Sequence, residues 1–151
     1  MVKVMLLLQR WKKLEIYIDD IIFGRDNHNL SKQFAQSMQN EFEMSMLGEL
    51  KFFLGLQISQ SDEGIFISQT KYINEMLKKF QMEYCKPVGT PMVTGCKLSN
   101  TDDSESVEQK IYRSMIGSLL YVTTTRSDVM NVVCQVAQFQ SSPKASHLLA
   151  V

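Results

Sequence analysis

The stretch that decides how this chain is read is "EIYIDDIIFG", residues 15–24. Isoleucine, tyrosine and phenylalanine on both sides favour a strand, yet Asp19 and Asp20 stand side by side in the middle. Adjacent carboxylates repel, and burying them without a partner is costly. They therefore belong at a turn in solvent or against a cation. The run from Leu14 to Phe23, closed by Gly24, suits a β-hairpin whose tip carries both acids.

Spacing alone leaves both answers open. A polar hairpin tip is the commoner meaning of an Asp-Asp pair. The functional meaning is metal: two divalent ions about 4 Å apart, clamping the attacking and leaving oxygens of a phosphoryl transfer, need clustered carboxylates. Mg2+ prefers such hard oxygen ligands.

Outward from the hairpin the pattern alternates between helix and strand. Leu30, Phe34, Met38 and Phe42 recur every four residues, predicting an amphipathic helix capped by Asn29 or Ser31. In "LKFFLGLQISQSDEGIFISQ" (50–69), Phe52, Leu54, Leu56 and Ile58 alternate as one face of a strand. A Ser61-Asp62-Glu63-Gly64 turn and a second strand, Ile65 to Ser68, follow. Tyr72, Ile73, Met76, Leu77 and Phe80 line the next helix, which carries Lys71, Lys78 and Lys79. The stretch 86–105, with its prolines, glycines and acidic run, reads as a linker. Ser106 and Gln109 have capping-box spacing ahead of a stripe from Ile111 to Leu120. A last helix starts near Ser127, turns Val129, Val132, Val133, Val136 and Ala137 inward, and ends before Pro143.

At 151 residues and 44% hydrophobic, the chain has material for one core and a small second lobe. Sixteen basic and sixteen acidic residues give no global field toward nucleic acid, so any such contact is local. Cys85, Cys96 and Cys134 are odd in number and widely spaced, which suits a reduced, intracellular and soluble chain of unspecified compartment. No secretion signal or membrane-spanning apolar run is read. His28 and His147 are isolated and are assigned surface roles.

In order, "YIDD", a helix, the "FLG" hairpin, "SQTKYINEMLKKF", "KPVGTPM" and "YRSMIGSLLYVTTTRSDVM" resemble the copia-type retrotransposon reverse transcriptases, from about Leu14 to Val151. The resemblance implies an α+β fold: a partial polymerase palm of two β-hairpins with a helix between (1–68), then a thumb-like helix (69–85), the linker (86–105), and a helical thumb or connection region (106–151). It implies Asp19 and Asp20 as catalytic metal ligands for Mg2+ or Mn2+. Tyr17 and Ile18 would lie near the primer end, and Phe53, Leu54 and Gly55 in the strand that grips the primer. The implied partner is an RNA/DNA primer-template, with no membrane.

The departures carry expectations too. Position 18 is isoleucine where the family usually has valine; Ser127 and Asn131 replace a proline and an aromatic residue; residues 1–13 hold no acid and do not follow the family pattern. The third metal-binding aspartate and the fingers are missing, so the chain alone is expected to be inactive and to bind Mg2+ weakly. The alternative is a non-catalytic relic that binds nucleic acid or protein. A palm sheet without its earlier strands would expose an edge beside the Leu14 to Phe23 hairpin and self-associate there. Gly55, if within a strand, is expected to accept valine at a cost of no more than about 1 kcal/mol.

Overall fold

The computed structural model describes residues 3–7, 14–17, 20–24, 27–89, 91–92, 98–99, 101 and 103–151, in the backbone alone at 3–7, 15, 17, 20 and 28. Strands and helices segregate, which makes the chain α+β. Two compact units, Met1–Ser68 and Gln69–Val151, divide it.

The first unit contains both sheets. Strands β1 (Lys3–Leu7), β2 (Leu14–Tyr17), β3 (Asp20–Phe23) and β4 (Met44–Glu49) form a sheet in the order β2-β3-β1-β4. The hairpin read from residues 14–23 is present, with β2 antiparallel to β3 from Leu14↔Phe23 to Tyr17↔Asp20. The open edge expected beside it is occupied. β1 runs parallel to β3 from Val4↔Asp20 to Leu7↔Phe23 and parallel to β4 on its other side. An apolar "KVMLL" flanked on both sides is what an interior parallel strand looks like. β2 and β4 are therefore the outer strands.

Helix α1 (His28–Glu41) joins β3 to β4. Its N-cap is Asn27, whose side-chain oxygen accepts the Asn29 N–H at 3.0 Å, rather than Asn29 or Ser31. The buried stripe is Ser31, Phe34, Ala35 and Met38, packed on Ile21, Phe23, Met44 and Met46. Leu30 and Phe42 are exposed. Steps of four residues advance about 40° each beyond a full turn, so four positions so spaced drift off any single face. Phe23 and Phe34 meet with ring centroids 4.9 Å apart.

The Ser31 hydroxyl is buried with no hydrogen-bond partner among the described residues. Ser31→Ala removes an unsatisfied polar atom and raises helix propensity, and is expected to stabilise the fold by about 0.5–1.5 kcal/mol in urea denaturation. A loss of stability would mean that the hydroxyl is bonded.

The second sheet is β5 (Phe52–Phe53), β6 (Leu56–Ser61) and β7 (Gly64–Ser68) in that order, all antiparallel. Here the alternation read from sequence fails at one point. Phe53↔Leu56 closes a two-residue turn, with Leu54 at φ 49° and Gly55 at φ 82°. Two consecutive positive φ values are the pattern of a type I′ hairpin turn. Leu54 and Gly55 are a turn tip and not the middle of a strand.

The second unit is helical: α2 (Thr70–Lys79), α3 (Gln109–Val122), a 3-10 turn at Ser127–Val129 running into α4 (Met130–Ala137), and α5 (Ala145–Leu149). Tyr72, Ile73, Met76, Leu77 and Phe80 are the half-buried face of α2, as their spacing predicts. Tyr72 meets Tyr121 edge-on at 4.6 Å, and Lys79 Nζ donates to Ser114 Oγ at 2.8 Å. Gln69, fully buried before α2, donates to the Tyr121 carbonyl and accepts from Thr125 Oγ1 at 2.7 Å.

The core of this unit is Tyr112, Ile116, Val136 and Phe139. The Tyr112 hydroxyl donates to the Val136 carbonyl at 2.7 Å, and burial raises its pKa. The expected capping box is absent: the N-cap of α3 is Glu108, with no side-chain cap. Ser106 instead bridges to Lys144 in extended conformation, while Gln109 donates to the Gln140 and Ser141 carbonyls. Arg126 and Asp128 form an exposed bidentate pair that holds the Asp128 carboxyl below its usual range.

His147 is not a surface residue. It is fully buried, stacked on Phe139 at 3.9 Å, and its Nδ1 accepts the Lys144 N–H at 3.0 Å. Its Nε2 lies 3.1 Å from the Ser99 carbonyl, an acceptor, so that nitrogen carries the proton.

Candidate functional site

Asp20 is the first residue of β3, and its Cα is paired with Tyr17 across the hairpin and with Val4 in β1. Asp19 and Ile18 lie outside the described residues, between the paired ends of β2 and β3 in sequence. The side chains of Tyr17 and Asp20 are likewise outside them. The hairpin thus holds Asp20 at its turn end, at one end of a central strand.

That strand is held from both faces. Ile21 and Phe23 belong to the cluster beneath α1, while Ile22 packs with Leu50, Phe53 and Ile58. Phe53, the residue before the Leu54-Gly55 turn, is therefore anchored in the cluster that holds Ile22, two residues along β3 from Asp20. The two motifs are connected through one strand, and Leu54 at the second tip is 51% exposed. The Ile58 N–H donates to the Lys51 carbonyl at 2.8 Å, and Gln60 Nε2 to the Leu50 carbonyl at 3.2 Å, fixing this hairpin to the segment before it.

A two-metal site asks for more acids than these strands supply. β1 beside Asp20 is Lys-Val-Met-Leu-Leu, and the acid of β4, Glu49, pairs opposite Leu7, three positions beyond Val4. Among the described residues no three His, Cys, Asp or Glu side chains gather as a metal site. Among the described residues, β1 and β4 add no carboxylate opposite Asp20, and no catalytic step is assigned here. Of the cysteines, Cys85 and Cys134 are free and exposed, and Cys96 is outside the described residues. No helix among the described residues is long and apolar enough to cross a membrane.

The comparisons with known proteins identify the class of protein to which this sheet and its Tyr-Ile-Asp-Asp sequence belong. Residues 12–94 match the family model described as reverse transcriptase (RNA-dependent DNA polymerase). The chain belongs to that family, in its copia-type retrotransposon branch. It is 32% identical over 147 residues to the retrovirus-related Pol polyprotein from transposon RE1 of Arabidopsis thaliana, covering 95% of this chain and 10% of the polyprotein. Against that from transposon TNT 1-94 of Nicotiana tabacum it is also 32% identical, covering 91% and 11%. An uncharacterized mitochondrial protein of Arabidopsis thaliana is 34% identical over 125 residues, 81% of this chain and 52% of that protein. The chain thus spans about a tenth of the polyproteins and about half of the mitochondrial protein. No solved structure matches.

Proposed function

We propose that this chain is the part of a retrotransposon polymerase that carries the YIDD hairpin, the primer-contacting turn and the start of the thumb. Asp19 and Asp20 are two of the carboxylates that hold Mg2+ or Mn2+ in the complete enzyme. When bound, such ions neutralise charge on the transferring phosphoryl group and activate the primer 3′ hydroxyl. Tyr17 and Ile18 border the primer end. Phe53 fixes the second hairpin so that Leu54 and Gly55 meet the primer strand, and residues from Thr70 onward act as thumb. The observation that carries the reading is the shared strand: Asp20 begins β3, and Phe53 packs against the cluster of Leu50 with Ile22, two residues along that strand.

A third carboxylate must come from another segment, because β1 and β4 place none opposite Asp20. The separate 151-residue chain is therefore expected to extend no primer on an RNA template. Its Mg2+ affinity should be weak, with a Kd on the order of millimolar, because with two acids the ion keeps most of its waters. Template-dependent incorporation above a blank, or submicromolar Mg2+ binding by calorimetry, would overturn this. RNA/DNA duplex is the proposed partner, through local contacts, since the net charge is zero.

A further inference from the structure

We propose that His147 is an acid-sensitive latch, whose neutral ring closes the described part of 98–107 onto 143–148 and whose protonation opens it. The ring is fully buried and stacked on Phe139, and each nitrogen has a partner of fixed character. Nδ1 accepts the Lys144 N–H at 3.0 Å, and Nε2 donates to the Ser99 carbonyl at 3.1 Å. A backbone N–H only donates and a carbonyl only accepts, so the pair admits one species, the neutral ring with its proton on Nε2. A second proton, on Nδ1, would point at the Lys144 N–H. Turning the ring over gives no relief, because imidazolium has no acceptor in any orientation. Histidine is also the side chain whose charge changes under mild acid.

The latch is the titratable member of a row of contacts. Beside it the Ser146 N–H donates to Ser104 Oγ at 3.4 Å, the Ala145 N–H to the Glu105 carbonyl at 2.8 Å, and the Val107 N–H to the Pro143 carbonyl at 3.1 Å. Ser106 is bridged to Lys144 between them. These bonds join backbone and hydroxyl groups, which do not titrate between about pH 5 and 8. Separation of the two segments also lifts Leu148 and Leu98 off the core of Tyr112, Ile116, Val136 and Phe139. Opening therefore exposes apolar surface.

A charge on the closed ring would have no counter-ion. Among the described residues no carboxylate lies within ion-pair distance of it. Asp103 and Glu105 are exposed, and Asp102 lies outside the described residues. On α3, Tyr112 commits its hydroxyl to the Val136 carbonyl and Arg113 its guanidinium to the Gln140 carbonyl, while Lys110 and the N-cap Glu108 are exposed. Cys134 of α4 is exposed. On the latch's own turn, half-buried Lys144 adds a positive charge. A cation buried there is unpaired and beside a like charge, so the closed form excludes it.

The sign follows from proton uptake. Below about pH 6.5 the ring of the open form takes up a proton for which the closed form has no place, so closure weakens as pH falls. Amide hydrogen exchange of the full chain tests this, with His28→Gln making His147 the single histidine. Protection factors, which divide out the intrinsic pH dependence of exchange, are read by NMR at Ala145, Ser146 and Val107. They should be level above pH 7 and fall by about 10-fold per pH unit below about 6, while binding of a hydrophobic dye rises in step. The Phe42 amide, bonded to the Met38 carbonyl in the first unit, should stay level. His147→Asn offers the Lys144 N–H an acceptor that does not titrate, and should flatten the profile at lower protection throughout. Because that variant loses the stacking and can unfold the unit, the ring nitrogens of His147 itself give a second reading. As long as the Ala145 and Ser146 amides stay protected, their 15N signals should be those of the neutral form protonated on Nε2. Protection that is level from pH 7 to 5 would overturn the proposal. So would a slope that persists in His147→Asn, or a cationic ring in a chain whose Ala145 and Ser146 amides remain protected.

Discussion

Replacing His147 by alanine is expected to destabilise the second unit by about 3–5 kcal/mol. The imidazole makes three kinds of contact: it stacks on Phe139, takes the Lys144 N–H, and donates to the Ser99 carbonyl. Truncation leaves a cavity against Phe139, a member of the core, and strands a buried donor and acceptor whose desolvation is no longer offset. The neighbouring Ala145 N–H to Glu105 carbonyl bond and the Ser106↔Lys144 bridge depend on the same alignment. His147→Phe separates the parts: it keeps volume and stacking, loses both hydrogen bonds, and should cost about 2–4 kcal/mol. Urea denaturation followed by far-UV circular dichroism reads both variants. A loss below about 1 kcal/mol for His147→Ala would show that the ring only fills space that solvent can take.

Gly55→Val is expected to cost about 2–3 kcal/mol, not the 1 kcal/mol or less that a strand position would allow. At φ 82° a β-branched side chain collides with its own backbone, whatever room lies around it. Leu54 gives the opposite test. A leucine at φ 49° in an exposed turn is a strained choice where Asn-Gly is the favoured pair. Leu54→Asn should stabilise the fold by about 0.5–1 kcal/mol. If Leu54 contacts the primer strand, the same change lowers primer extension in a chimera whose fingers and earlier palm strands come from an active relative. Gain of stability with loss of extension marks a functional turn. Gain of stability with full extension removes Leu54 from the primer contact.

What the sequence disclosed and what it hid follow from how local each signal is. The hairpin of 14–23 was legible because both strands and their turn lie within ten residues, and α2 because five apolar residues fall on one face over three turns. β4 was hidden: the register shift past Met46 and the extra residue Leu47 break its period of two. β1 was hidden because an interior strand is apolar on both faces and shows no alternation. The Leu54-Gly55 turn passed for strand because leucine is a poor turn residue and both neighbours are apolar. His147 passed for a surface residue because its partner Ser99 lies 48 positions away. At the candidate site, sequence and family pointed to Asp19 and Asp20. The structure adds the position of Asp20 at the start of β3 and the tie from Phe53 to that strand.

The central claim is that the hairpin of this chain is a polymerase metal hairpin lacking only what other segments provide. Its most direct test is primer extension on an RNA template by a chimera in which fingers and the earlier palm strands come from an active copia-type relative and residues 14–151 come from this chain. The chimera should extend the primer with Mg2+, and Asp19→Asn or Asp20→Asn should each lower extension by at least about 1,000-fold while the thermal midpoint is retained. Extension that survives both substitutions, or a folded chimera that binds primer-template and extends nothing, would contradict the claim.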